Sequence, residues 1–311
     1  MISCTEFIPA YSELFKYIQK RDGKEAVRAY WEERFSPKNG RLPLIPFVEK
    51  EGLRGCYSYW TGTLSEEAAD FTLYLNEKAG WFKLDMHKCP SKGRLLELRD
   101  QLGVAPYSDY CLHCDHYRAA IENVGLNYIF DCSGADHAAC SILVTEPKTF
   151  TGQIVVDENT EIMDCRASDN EYFHPGFHRS LNAGVDYIGE KYGEEGLVEY
   201  LTTYTNLVYV PVFKAIEKDG LAAIEAKILD TYKKEKVEDA VQTVLENDTL
   251  TVTVSACPAV AFMKATGTPV SKWYPYTTSV IMSVLAEKAG CRFEMQSYDE
   301  ETGAAKYRFC K

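Results

Sequence analysis

Thr249-Leu250-Thr251-Val252-Thr253-Val254-Ser255-Ala256-Cys257-Pro258 alternates hydroxyl and apolar side chains up to a Cys-Pro step. A period of two marks a strand with one buried face. A proline directly after it suits the first turn of a helix, where its missing N–H satisfies nothing anyway. The segment predicts a strand running into a helix, with Cys257 at the corner. Residues 82–90 repeat the plan: Phe82, Leu84 and Met86 alternate with Lys83, Asp85 and His87 ahead of Cys89-Pro90.

Further echoes flank these two corners at a nearly constant offset. Tyr17-Ile18 with Gly23-Lys24-Glu25-Ala26 matches Tyr187-Ile188 with Gly193-Glu194-Glu195-Gly196, and Glu122-Asn123-Val124-Gly125 matches Glu287-Lys288-Ala289-Gly290. Self-similarity at a fixed spacing is the mark of duplication. The chain therefore reads as α+β in two similar halves, each with N-terminal helices followed by strand-helix-helix-strand-strand. The first repeat is expected at 1–147, a linker with a short strand (Gln153-Ile154-Val155-Val156) at 148–170, and the second repeat at 171–311. Helical periodicity is read at 8–34, 65–79, 178–203, 205–218 and 221–245. Tyr117, Ala120, Ile121 and Val124 predict an amphipathic helix over 114–124, ended by Gly125.

Composition narrows the function classes. With 311 residues, 46% hydrophobic and 26% charged, the chain can bury a sizeable core. A net charge of −12 without a Lys/Arg block disfavours nucleic acid. No apolar run is long enough for a membrane span, and Met1-Ile2-Ser3-Cys4-Thr5-Glu6 lacks the features of a secretory signal. A cytoplasmic protein with mostly reduced thiols is expected. HExxH, GxSxG, P-loop and GxGxxG patterns are absent.

Residues 87–140 hold five of the 11 cysteines and four of the 6 histidines. Cys111-x2-Cys114 and Cys132-x7-Cys140 are two close pairs, the arrangement by which two local elements converge on one metal ion. Asp131-Cys132 should end one strand and Cys140 begin the next, placing the two thiols as cross-strand neighbours with Cβ atoms about 5 Å apart. Cys111 and Cys114 should sit at a helix start, whose dipole favours thiolate. Cys111, Cys114, Cys132 and Cys140 are thus the candidate ligands of zinc, with iron or an iron–sulfur cluster as the alternative. Two blander readings stand beside this one: buried cysteines as small hydrophobes, and Cys111-Leu112-His113-Cys114 as a redox dithiol. His87, Asp115 and His116 are the candidate proton-transfer groups. His174 and His178, around Pro175-Gly176, read as structural, and Lys233-Lys234-Glu235-Lys236 reads as a solvated face.

The run Cys132-Ser133-Gly134-Ala135-Asp136-His137-Ala138-Ala139-Cys140 resembles the end of the vinyl-reductase-type ligand-binding domain. That resemblance implies a hairpin helping to hold zinc beside a small-molecule pocket. Residues 80–145 also resemble the L-2-amino-thiazoline-4-carboxylic acid hydrolase family, through Cys89 opening a helix, Cys114-Asp115, and Gly134-Ala135 leading to Cys140. There are departures: the step from Gly134 to Cys140 is longer than in the hydrolases, and Ile129 stands where some zinc-holding sensors carry an acidic ligand. The second half keeps Cys257 and loses the hairpin sulfurs.

Two functions follow as expectations. One is a metal-dependent hydrolase-like enzyme acting on a small cyclic amidine or thiazoline, which needs one sulfur outside the metal shell so that water can bind. The other is a vinyl-reductase-like binding or sensor module with a structural zinc site. A bare scaffold is the third. The expected partner is a small molecule, and the oligomeric state stays open.

Overall fold

The computed structural model describes residues 1–39 and 42–311. Among them α1 (Phe7–Asp22), α2 (Lys24–Phe35) and α3 (Leu44–Glu66) precede a hairpin of β1 (Asp70–Asn76) and β2 (Trp81–Lys88). Next come α4 (Pro90–Leu102), a 3-10 stretch at Tyr110–Tyr117, α5 (Arg118–Asn123), β3 (Asn127–Asp131), β4 (Cys140–Thr145) and β5 (Glu161–Cys165). Three helices follow, α6 (Phe177–Val208), α7 (Val210–Asp219) and α8 (Leu221–Lys234). The chain ends with β6 (Val241–Glu246), β7 (Thr249–Val254), α9 (Pro258–Ala265), α10 (Tyr276–Lys288), β8 (Arg292–Tyr298) and β9 (Ala305–Cys310). The class is α+β with two antiparallel sheets, ordered β3-β4-β2-β1-β5 and β6-β7-β9-β8. No helix among the described residues is long and apolar enough to cross a membrane.

Two compact units divide the chain. One is Phe15–Arg99 with Ala105–Tyr172; the other joins Met1–Leu14, Asp100–Val104 and Phe173–Lys311. Hence the N-terminal segment groups with the later helices. Phe7 stacks on Phe177 at 4.7 Å between ring centroids, and the buried Tyr200 hydroxyl donates to the Ala10 carbonyl at 2.8 Å.

The first unit buries one face of its sheet. Phe82, Leu84 and Met86 of β2 pair with Val144, Ile142 and Cys140 of β4, so these six side chains share a face. Trp60 of α3 lies flat on Phe82, with centroids 5.5 Å apart and planes 4° from parallel. Residues of the opposite parity, Lys83, Asp85 and His87, lie on the more open face.

Several elements differ from the sequence reading. The segment 65–79, expected as helix, contains β1, because Phe71, Leu73 and Leu75 bury one face at period two. The same residues with Tyr74 also match a helical spacing, and sheet pairing resolves the ambiguity. Likewise 221–245 is helix only to Lys234, after which Val241 opens β6. Both sheets thus begin with a hairpin where a single strand was expected. The strand expected at 153–156 is irregular chain, and the strand of that region is β5, which pairs with the edge of β1. The helix expected at 114–124 is 3-10 up to Tyr117 and α-helical only at Arg118–Asn123.

The helix stops conform to expectation. Gly125 (φ 81°) and Gly290 (φ 64°) take left-handed conformations after α5 and α10. Each lets the next residue's N–H reach back past the helix end: Leu126 to the Ile121 carbonyl at 3.4 Å, and Cys291 to the Ala286 carbonyl at 2.9 Å.

Candidate metal centre

Cys89 stands between β2 and α4, with Pro90 as the first helical residue. Its N–H donates to the Ala138 carbonyl at 2.6 Å, which pins the strand–helix corner to the β3–β4 loop. The Lys92 N–H points at Cys89 Sγ at 3.4 Å, as expected for a sulfur at the N-terminus of a helix. Cys140 opens β4 opposite Met86, on the buried face. The β3–β4 ladder stops at Asp131↔Ser141, one pair short of Cys132 and Cys140. The loop after it makes a 3-10 turn at Ala135–His137.

Cys111 and Cys114 lie inside the 3-10 stretch, not at an α-helix start. Three residues per turn puts i and i+3 on one line. Cys111 and Cys114 therefore share a face, while Tyr110, His113 and His116 form the next. That second face packs into an aromatic wall: His113 lies 6.1 Å from Phe15 and 6.4 Å from Trp31, and His116 lies 5.7 Å from Trp31 and 6.0 Å from Phe35.

The cysteines of these elements lie within electrostatic reach of one another. Burial, first of all, pushes the Cys89 thiol up to about 12, and the charge of Cys111 adds to it. Cys114 is raised well above its ordinary value by burial, then by Cys140, Cys89 and Cys111. Cys140 is raised by burial, then by Cys89, Cys111 and Cys132. Cys111 is raised by burial and by Cys132, against an opposing pull from the Lys92 ammonium, whose residue is only 7% exposed. The expected dipole stabilisation of thiolate is thus overridden: without a cation these groups are protonated thiols at neutral pH.

The distances are wider than a zinc site needs. Four thiolates at about 2.3 Å from zinc stand about 3.8 Å from one another. Among the described residues, no three of these sulfurs lie within 4.8 Å of each other; the three donors that do are Cys4, His178 and Glu235. The tetrahedron expected from Cys111, Cys114, Cys132 and Cys140 is not preformed. Cys89, left without a role in the sequence reading, acts on both Cys114 and Cys140. Its signal was the Cys-Pro corner itself.

The three expected proton-transfer groups do not converge there. His87 lies on the sheet face opposite Cys140, where its Nε2 meets the Thr72 hydroxyl at 2.7 Å, and that hydroxyl meets Asp164 at 2.7 Å. Asp115 is held by Arg118 at 2.7 Å and is half-exposed. His116 is wedged against Trp31 and Phe35, and burial lowers its pKa. The imidazole beside the sulfurs is His113, whose Nε2 lies 3.5 Å from Cys114 Sγ. Its Nδ1 contacts the Tyr110 carbonyl. A carbonyl only accepts, so Nδ1 carries the proton and Nε2 offers its lone pair to the thiol. Burial holds His113 neutral, lowering its pKa to about 4.

No protein-family model matches the chain, and no curated protein or solved structure matches it either.

Proposed function

We propose that the first unit carries a thiolate-bound metal centre with Cys89, Cys111, Cys114 and Cys140 as ligands and Cys132 at its margin. The reading rests on one observation: Cys89, Cys111, Cys114 and Cys140, each partly buried and drawn from three separate elements, lie close enough for each thiol's charge to bear on another's. Thiols arranged so are costly as anions unless a cation joins them. The spacing favours an iron–sulfur cluster, which spreads its thiolates over several irons, above a single zinc ion. The buried Lys92 ammonium suits an anionic cluster. When bound, such a group supplies a one-electron redox couple or a rigid cross-link.

Four sulfurs close the coordination sphere, so the chain is read as a binding or redox-sensing module. A hydrolase acting on a small cyclic amidine or thiazoline is the second reading, and the Cys114–His113 pair favours it. If Cys114 stood outside the shell, the neutral His113 Nε2 would take its proton, or that of a water. His113 would then fill the role expected of His116, Asp115 or His87. The common strand order supports a duplicated architecture: β8-β9-β7-β6 repeats β3-β4-β2-β1, with β5 added at one edge.

Anaerobic reconstitution with iron and sulfide tests the proposal. About four irons and four sulfides per chain are expected, with broad visible absorption lost in Cys89→Ser and kept in Cys132→Ser. Failure to take up iron and sulfide, or visible absorption left unchanged in Cys89→Ser, would refute it.

A further inference from the structure

The second unit holds a donor cluster of a different kind. Cys4 belongs to a 3-10 turn near the N-terminus, His178 to the first turn of α6, and Glu235 caps the end of α8. All three are buried, at 1%, 1% and 4% exposure. One donor atom from each falls within 4.8 Å of the other two. Glu235 Oε2 lies 3.0 Å from His178 Nε2, and Oε1 accepts from the Cys4 N–H at 2.6 Å.

We propose that Cys4, His178 and Glu235 bind a divalent cation of the zinc class. Thiolate, imidazole and carboxylate are the three side-chain donors zinc takes, at about 2.3, 2.0 and 2.1 Å. Bonds of those lengths at a tetrahedral angle set nitrogen and oxygen about 3.3 Å apart. The pair at 3.0 Å is already near that separation. Charge also balances, because one thiolate and one carboxylate neutralise a dication without leaving net charge in the core.

Protein contacts alone leave the cluster incompletely satisfied. Among the described residues His178 Nδ1 is buried without a hydrogen-bond partner, and so is the hydroxyl of Tyr274, a ring that feels the charges of Cys257, Glu235 and Cys4. A thiolate is the form that binds the metal, so binding releases the Cys4 proton to solvent as the sulfur–metal bond forms. The site would tie positions 4, 178 and 235, closing long stretches of chain at one point. Three protein donors leave the fourth tetrahedral position to a water or another ligand.

The test uses the full chain, stripped of metal under reducing conditions and titrated with zinc, then with cobalt as a spectroscopic probe. His178→Gln and Cys4→Ser should each bind about one zinc fewer than wild type and lose a single-sulfur cobalt charge-transfer band. Cys114→Ser, which disturbs the first unit, should keep that band. Zinc should raise the unfolding midpoint of Cys114→Ser by several degrees more than that of His178→Gln. Glutamine can still hydrogen-bond Glu235, so stripped His178→Gln should keep wild-type circular dichroism. Equal zinc content in wild type and folded His178→Gln, or a cobalt band unchanged in both variants, would overturn the assignment.

Discussion

Met86 and Cys140 face each other across the β2–β4 ladder, which commits the Cys140 sulfur to the buried side of the sheet and His87, one residue on, to the other. Adjacent residues of a strand point oppositely. Alternation along the strand therefore separates His87 from the cysteines near it in sequence.

Substitution on the two faces should give opposite results. Cys140→Ser and Cys114→Ser are expected to lower metal content at least several-fold, while His87→Ala leaves it unchanged. Elemental analysis of anaerobically purified variants reads the difference, and an equal loss in His87→Ala would contradict the facial assignment.

The stack of Trp60 on Phe82 anchors α3 to the sheet. Both side chains are buried, so Trp60→Ala leaves a cavity and should cost about 4 kcal/mol. Urea denaturation of the isolated variant measures it. A loss below about 1 kcal/mol would show that the helix is held elsewhere.

α3 turns sharply at Gly52, whose φ is 54°, and the preceding turn folds back over Gly55. A Cβ on Gly55 would overlap the Phe47 carbonyl, which is backbone and cannot rotate away. In an ordinary helix interior Gly→Ala is stabilising by about 1 kcal/mol. Here Gly55→Ala should destabilise by about 2 kcal/mol, so the sign alone decides the test in a thermal melt.

Arg54 bridges Glu77 at 3.2 Å and Glu161 at 2.7 Å, tying α3 to the outer strand β5. The hydrogen bond from Arg54 holds the Glu161 carboxyl below its ordinary 4.5. A lowered carboxyl pKa means stability present above about 4.5 and lost as pH falls through the folded value. The pair is exposed, so the effect is modest. Hydrogen-exchange protection of the β5 amides should fall as pH drops below about 4.5 in wild type. Arg54→Gln should show the lower protection already at pH 6, and a pH response identical to wild type would exclude the bridge as its cause.

Part of the fold was legible because it is written locally. Period-two alternation gave Phe82–Met86 and Leu250–Val254, Cys-Pro gave the two helix starts, and Gly125 and Gly290 gave two stops. The strands β1 and β6 were hidden because short apolar runs fit both periods until a neighbouring strand claims them. Glu235 was hidden differently. Lysines on both sides give Lys233-Lys234-Glu235-Lys236 a solvated pattern, yet Glu235 turns inward at the end of α8 to meet Cys4 and His178.

Sequence alone determined the class of structure, the two Cys-Pro corners and the concentration of sulfur between residues 87 and 140, since propensity, periodicity and spacing act over a few residues. Only tertiary structure decided which sheet face carries Cys140, that His113 and not His87 stands beside Cys114, and that positions 4, 178 and 235 meet. Strand register and chain closure set those juxtapositions, and both depend on burial between segments far apart in the chain.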